Sequence, residues 1–391
     1  MTETQAKTEN FLLARGGPFY ELQRRLGLLR EDSLRAGPRA VLFVALAWGI
    51  PALLSIVEGH AFGPRAERFY FLDPGAWARF FISVGLFVWM ERQVDVRLHV
   101  LLRQLVRAPL LATSSFATAA ETVNLALRRR DGRLAEVACL MIAAAAGFVT
   151  YARLADDMSI RWAVNTSAQL TLAGWWAILV SNTLFWFLLA RWMWRIVLWA
   201  RLLKDLSRLE LRLTAAHPDG LGGLAFIGQY PTVFTSFVFA LSCVPAGVIA
   251  TELADGTLEL ATYGYMMAIW LIMVLLVLLW PLLAFQKPLS ALKKQTLLAS
   301  SAQATRHHRA AERDILGENI VAKADPETDN SSDTPDSSKL YLAARKLSVI
   351  AINKDALVPV SAAALIPMIA AGATQLPVRE LLNLAKRLIL F

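Results

Sequence analysis

Leu260 to Gln286 reads LATYGYMMAIWLIMVLLVLLWPLLAFQ, a run with no charged residue. A helix needs roughly 20 apolar residues to cross the hydrocarbon core of a bilayer, and this run exceeds that length. Its neighbours follow the same pattern. Uncharged segments recur at Ala40–Val57, Val137–Ala152, within Trp162–Ala190 and within Gly220–Thr251. A weaker one spans Trp77–Glu91, where the uncharged core Phe80–Met90 is short. The reading is an all-α integral membrane protein with six transmembrane helices.

Composition agrees. Of 391 residues, 56% are hydrophobic and 18% charged, with a net charge of +9. Soluble domains hold about 45–50% apolar and about 25% charged residues. A soluble enzyme, a secreted disulfide scaffold and a nucleic-acid-binding domain are poor readings. Cys139 and Cys243 lie inside apolar runs without CxxC spacing, so neither a disulfide nor a zinc site is expected. The first 37 residues lack an apolar core near the start, and no cleavable signal peptide is expected.

Loop charge sets orientation, because cytoplasmic loops carry the excess of Lys and Arg. Residues 1–39 carry seven, 92–133 eight and 191–222 six. The alternate loops 59–75, 153–170 and 252–261 carry two, two and none. With six spans, both termini are expected to face the cytoplasm. Trp175, Trp176, Trp186, Trp192, Trp194 and Trp199 crowd the fourth span and its exit, where amphipathic rings suit the headgroup level.

Outside the 40–286 membrane domain, several segments read as amphipathic. Residues 1–39 contain Phe19, Leu22, Leu26 and Leu29 at helical spacing with Arg24 and Arg25 on another face, which fits a helix lying on the membrane. The 92–133 loop holds a helical stretch, Val94–Arg107, ended by Pro109. Residues 287–322 continue as a cytoplasmic helix to about Gly317, and 323–338, KADPETDNSSDTPDSS, reads as a disordered linker. A helical piece, Lys339–Ile350, follows. Ala356–Gln375 is uncharged but holds Pro359, Pro367 and Gly372, so the expectation is a broken, re-entrant or interfacial segment. Pro377–Leu390 closes the chain as an amphipathic helix. No internal repeat supports an inverted-repeat transporter fold.

The candidate polar sites follow from cost. An intramembrane charge is expensive, about 2.5–3.5 kcal/mol on insertion scales. Arg79 and Glu91 bracket the second span, as interface anchors, a structural ion pair or part of a solute pathway. Glu136 enters the third span on the same side as Glu91, within reach of Arg92, Arg191 or Arg195. Arg191 and Arg195 are four residues apart and share a helix face. His217 and Asp219 precede the fifth span in AHPDGLGGLAFIG, Ala216–Gly228, where Asp219 suits an N-cap and the glycines a tight turn. Pro281 should kink the sixth span. No GxSxG, HExxH or Cys–His arrangement points to catalysis, and no cofactor or metal is expected.

Four stretches resemble an uncharacterised group of bacterial multi-pass inner-membrane proteins. They are GGPFYELQRRLGL (Gly16–Leu28), DPGAWARFFISVGLFVWMER (Asp73–Arg92), RWMWRIVLWARLLKDLSRLELRL (Arg191–Leu213) and HPDGLGGLAFIG (His217–Gly228). In that group an Arg usually follows HPD, where Gly220 stands here, and the second span ends in Ala-Glu, where this chain has Met90 and Glu91. The C-terminal third matches less well. The resemblance implies an architecture, draws attention to Arg79, Glu91, His217 and Asp219, and supplies no activity. The expected function is a channel or transporter for an ion or small solute. The alternatives are a membrane scaffold or sensor that recruits cytoplasmic partners, and a lipid-handling protein. Expected partners are membrane lipids, further copies of the chain and a cytoplasmic protein, and not nucleic acid.

Overall fold

The computed structural model describes residues 12–29, 34–64, 67–156, 160–167, 169–254, 256, 260–323 and 337–389. Helices dominate, and the only β pairing among the described residues is two isolated bridges, Leu111 with Leu211 and Val164 with Leu170. In chain order the helices are α1 (Pro18–Arg25), α2 (Ala36–Val57), α3 (74–89), α4 (Glu91–Arg107), α5 (Phe116–Arg130), α6 (Arg133–Asp156) and α7 (Leu172–Leu206). They continue with α8 (Thr235–Ala254), α9 (Leu260–Leu279), α10 (Gln286–Leu316), α11 (Ser337–Lys346), α12 (Lys354–Gly372) and α13 (Val378–Ile389). Trp280–Phe285 tightens to a 3-10 turn at Pro281, the break expected between α9 and α10. The expected linker falls on 324–336, outside the described residues.

Six helices are long and apolar enough to cross a membrane, so the chain is an all-helical, multi-pass membrane protein. The set differs from the expected one by a member. Helix α3 is short, about 24 Å at 1.5 Å per residue against a core of about 30 Å. Lys354–Gly372 takes its place among the six. This corrects the reading of a broken or re-entrant segment over Ala356–Gln375. One helix runs through both Pro359 and Pro367. It starts on an Asn353 cap, whose side chain accepts the Asp355 N–H at 2.9 Å. Its small residues Ala363, Ala364 and Ala371 are buried, and it packs closely along α8. Neighbouring helices compensate for the hydrogen bonds that the prolines remove.

Helix α3 is still a member of the bundle. Gly85 brings it against α2, where a Cβ would come within 3.0 Å of Val44 Cγ2. Gly247 brings it against α8, where a Cβ would come within 3.0 Å of the Pro74 carbonyl. The core around it is aromatic: Phe87, Phe185, Trp192 and Phe234 are all buried. Trp192 donates its indole N–H to the Phe87 carbonyl at 3.0 Å, and Trp199 stacks on Tyr230 with ring centroids 5.8 Å apart. Trp192 and Trp199 are therefore core residues and not interface anchors, whereas Trp175 is 46% exposed.

Contacts sort the chain ends. At one end, which we call the basic end, the Ala112 N–H bonds the Glu210 carbonyl at 3.0 Å, the Ser348 N–H bonds the Gly220 carbonyl at 3.0 Å, and a Cβ at Gly228 would meet the Asn353 N–H. At the far end, Arg161 pairs with Glu67 at 2.9 Å and the Trp162 indole N–H reaches Asp73 at 2.9 Å. Helix α12 starts at the basic end beside Gly228 and finishes at the far end, where Tyr263 donates to the Met368 carbonyl. Helix α13 therefore packs at the far end, against Gly264. The residues preceding α2 pack at the basic end. Residues 12–29 and α13 thus pack at opposite ends of the bundle.

Candidate functional site

Four separate helices place charged side chains in one buried cluster at the basic end. Arg39 stands in the first turn of α2, and Glu91 opens α4 just after Met90. Arg191 and Arg195 share a face of α7, and Glu136 lies in the first turn of α6. Arg39, Glu91 and Arg195 are each no more than 3% exposed, and Arg191 is 5% exposed. A buried carboxylate is tolerated only when fully paired, and Glu91 is. Its Oε2 receives Arg39 Nη1 at 2.9 Å, and its Oε1 receives Arg195 Nη2 at 3.0 Å with Arg191 Nη1 at 3.5 Å. Arg191 Nε lies 3.4 Å from Glu136 Oε1, so Arg191 bridges the two glutamates.

The N-terminal segment completes the cluster with its backbone. The Ala14 carbonyl accepts from Arg195 at 3.0 Å, and the Gly16 carbonyl accepts from Arg191 at 3.1 Å. The Ala14 N–H donates to Asp95 Oδ1 at 2.5 Å, and the Phe19 N–H donates to Glu136 Oε2 at 2.6 Å. Arg191 also lies 5.0 Å from the centre of the Phe19 ring. Gly16 (φ +115°) and Gly17 (φ +88°) adopt backbone that side chains rarely enter, and a Cβ on Gly17 would fall 2.5 Å from Glu136 Oε1. The Gly-Gly-Pro of the opening segment is thus shaped to seat carbonyls on arginines. Gln23, in α1, accepts from Arg39 Nε at 2.7 Å. Leu13 and Ala14 are buried in the bundle's basic end, whereas Leu22 and Leu26 of the expected amphipathic face stay 52% and 65% exposed.

Asp95, four residues after Glu91, faces the same cluster and is buried. Burial raises its carboxyl to about 6, against the Ala14 hydrogen bond and the Arg195 charge, which act to lower it. Its Oδ2 has no hydrogen-bond partner among the described residues.

The structure brings together Glu91, Glu136, Arg191 and Arg195 of the sequence candidates, and it selects Arg191 as the partner of Glu136. Arg79 lies elsewhere. It sits toward the far end of α3, about 18 Å along the helix from Glu91. There it neighbours Asp73, which caps the helix by accepting the Gly75 N–H at 2.8 Å. His217 and Asp219 form a third, separate feature. Asp219 accepts the backbone N–H groups of Leu221 (2.9 Å), Gly223 (3.1 Å) and Ala225 (3.1 Å), with His217 Nδ1 at 2.8 Å. It caps its own turn and not the fifth-span helix, which starts only at Thr235. Burial pushes its carboxyl up, but the three N–H donors and His217 outweigh that and hold it below the usual carboxylate range.

Sequence reasoning missed Arg39, Asp95, Gln23 and the Ala14–Gly17 backbone. Asp95 had a signal, its i+4 spacing from Glu91. Arg39 is one of seven basic residues in the 1–39 segment and had none.

Deeper in the bundle, three helices share an unusual winding. Ala45–Gly49, Trp77–Ser83 and Ala177–Asn182 are π-helical and touch one another. Such wide turns release carbonyls from the regular ladder and occur frequently at functional sites. Side chains take up the released groups: the Trp176 indole N–H bonds the Leu46 carbonyl at 2.9 Å, and the Tyr70 hydroxyl bonds the Trp48 carbonyl at 2.8 Å. The Ser83 hydroxyl lies 2.7 Å from the Ala78 carbonyl and 2.8 Å from the Ala240 carbonyl. Ser181 and Asn182 are fully buried here, and Ser181 Oγ and Asn182 Oδ1 have no partner among the described residues.

Comparison of the chain with protein-family models, curated proteins and solved structures finds no match.

Proposed function

We propose that the protein is a gated pathway for an ion or small solute, with its gate at the Glu91 cluster. The observation that carries this reading is the closure of the cluster by the chain's own Ala14–Phe19 segment. A cluster needed only for stability can be satisfied by side chains within the bundle. Here the arginines are completed by the backbone carbonyls of a segment outside it, held by hydrogen bonds and two left-handed glycines. The π-wound centre with Ser181 and Asn182 supplies polar groups at membrane depth, where they are costly unless used. The basic end is the cytoplasmic side on the loop-charge rule, in keeping with the resemblance to bacterial inner-membrane proteins.

The test is flux. Purified protein in liposomes should pass ions or small solutes slowly, and deletion of residues 1–17 should raise that flux at least ten-fold. A truncated protein that remains folded and passes nothing above empty vesicles overturns the reading.

One observation favours the scaffold alternative. Helix α10 is 31 residues long, and with α11 it forms a groove of about 610 Å³ lined by Ser301, Thr305, His308, Glu312 and Tyr341. Cross-linking from Thr305→Cys in intact cells would capture a cytoplasmic partner on that reading, and capture of lipid alone would count against it.

A further inference from the structure

The far end of the bundle carries a feature that the gate does not use. Helix α13 reads VRELLNLAKRLI. Leu381 and Ala385 are buried against the bundle, with Leu384 against Gly264 and Leu381 against Gly372. The apolar arc is wider than this contact. Val378 is 49% exposed and Leu382 47% exposed, one helical turn apart, beside the buried stripe. Arg379, Lys386 and Arg387 are exposed, and Arg379 and Lys386 follow next around the helix from Leu382. An apolar face split between protein and open space, edged by cations, is the pattern of a helix lying in a membrane interface.

Its position makes the cations unusual. Loops at the far end are poor in positive charge: residues 252–261 contain no Lys or Arg, and 59–75 contain two. Three cations within α13 break that pattern. Translocating them runs against the charge rule, and headgroup binding gives them a use.

We propose that α13 lies on the lipid surface at the far end of the bundle and holds anionic phospholipid headgroups through Arg379, Lys386 and Arg387. Val378 and Leu382 dip into the acyl region beside α9 and α12. The occupant is an anionic phospholipid of the leaflet opposite the gate. Charge complementarity and continuity with the apolar flanks of the spans select it over a protein partner.

Two measurements on the full chain test this. In a C139A/C243A background, single cysteines are placed at Asn383, at Ser167 (far end) and at Ser301 (basic end), and sealed proteoliposomes are treated with a membrane-impermeant maleimide. Asn383→Cys should label from the same side as Ser167→Cys. Labelling with Ser301→Cys overturns the proposal. Native mass spectrometry then compares retained phosphatidylglycerol with phosphatidylcholine. Each cation near an anionic surface is worth about a five-fold gain, so R379Q/K386Q/R387Q should lower phosphatidylglycerol retention by about ten-fold or more. Unchanged retention overturns the proposal. If the triple variant does not elute as folded protein, K386Q alone is measured, with an expected loss of about five-fold against no change.

Discussion

Glu91 is a buried carboxylate and Asp219 a partly exposed one, and they are satisfied in opposite ways. Asp219 finds its donors within six residues, on backbone N–H groups that its own turn exposes, with His217 beside it. Glu91 finds its donors on two other helices, on guanidinium groups 52 and 104 residues away. A local carboxylate makes a turn. A carboxylate with distant partners ties separate helices together.

The comparison predicts unequal sensitivity. E91Q leaves Arg39, Arg191 and Arg195 buried without their shared anion. Removing one partner of a buried ion pair costs about 3–5 kcal/mol, so thermal melting in detergent should fall steeply or the protein should not accumulate. A melting midpoint within a degree of wild type would dissolve the distinction. D219A removes the acceptor from three N–H groups and should cost about 1–3 kcal/mol. D219N keeps one carbonyl acceptor and should recover part of that in the same assay.

A smaller effect separates seat from cluster. G17A adds a methyl at φ +88°, 2.5 Å from Glu136 Oε1. Strained positions of this kind cost about 1–3 kcal/mol. The N-terminal segment should become sensitive to limited proteolysis while the bundle still melts cooperatively. Persistent protection would mean that the segment is not held by this seat.

The subtlest test is pH. Asp95 is raised from 3.8 to about 6, so its ionised form burdens the folded state above pH 6. That burden lifts as pH falls through 6 and is gone below the ordinary value. Asp219 is held below its ordinary value. Its contribution is complete above that value and is lost as pH falls through the lower folded one. Stability should therefore rise slightly between pH 7 and pH 5, and D95N should flatten that rise. Loss of stability over the same window in wild type would reverse the assignment.

The turn was largely legible in the sequence. His217, Asp219 and the glycines after them fall within one short stretch, and hydrogen bonding over a few residues obeys local rules. The exception was its target, since Asp219 closes its turn and leaves the start of α8 alone. The cluster was half legible. Glu91, Glu136, Arg191 and Arg195 stood out as charges near span ends, where desolvation makes any charge conspicuous. Their mutual pairing did not stand out, because helix ends from different parts of the chain meet only through packing.

The sequence by itself determined that this is a multi-pass helical membrane protein. It also marked the basic and the poorly charged loops, because spans are read from uninterrupted apolar length and every backbone group in lipid must be satisfied within its own helix. Tertiary structure alone decided which of two marginal segments is the full-length crossing. Helix α12 keeps two prolines because α8 packs along it, and that one helix carries α13 to the end opposite the Glu91 cluster. Tertiary structure also decided that the Ala14 and Gly16 carbonyls meet Arg195 and Arg191. Such contacts depend on where the chain returns in space, and no local pattern encodes that.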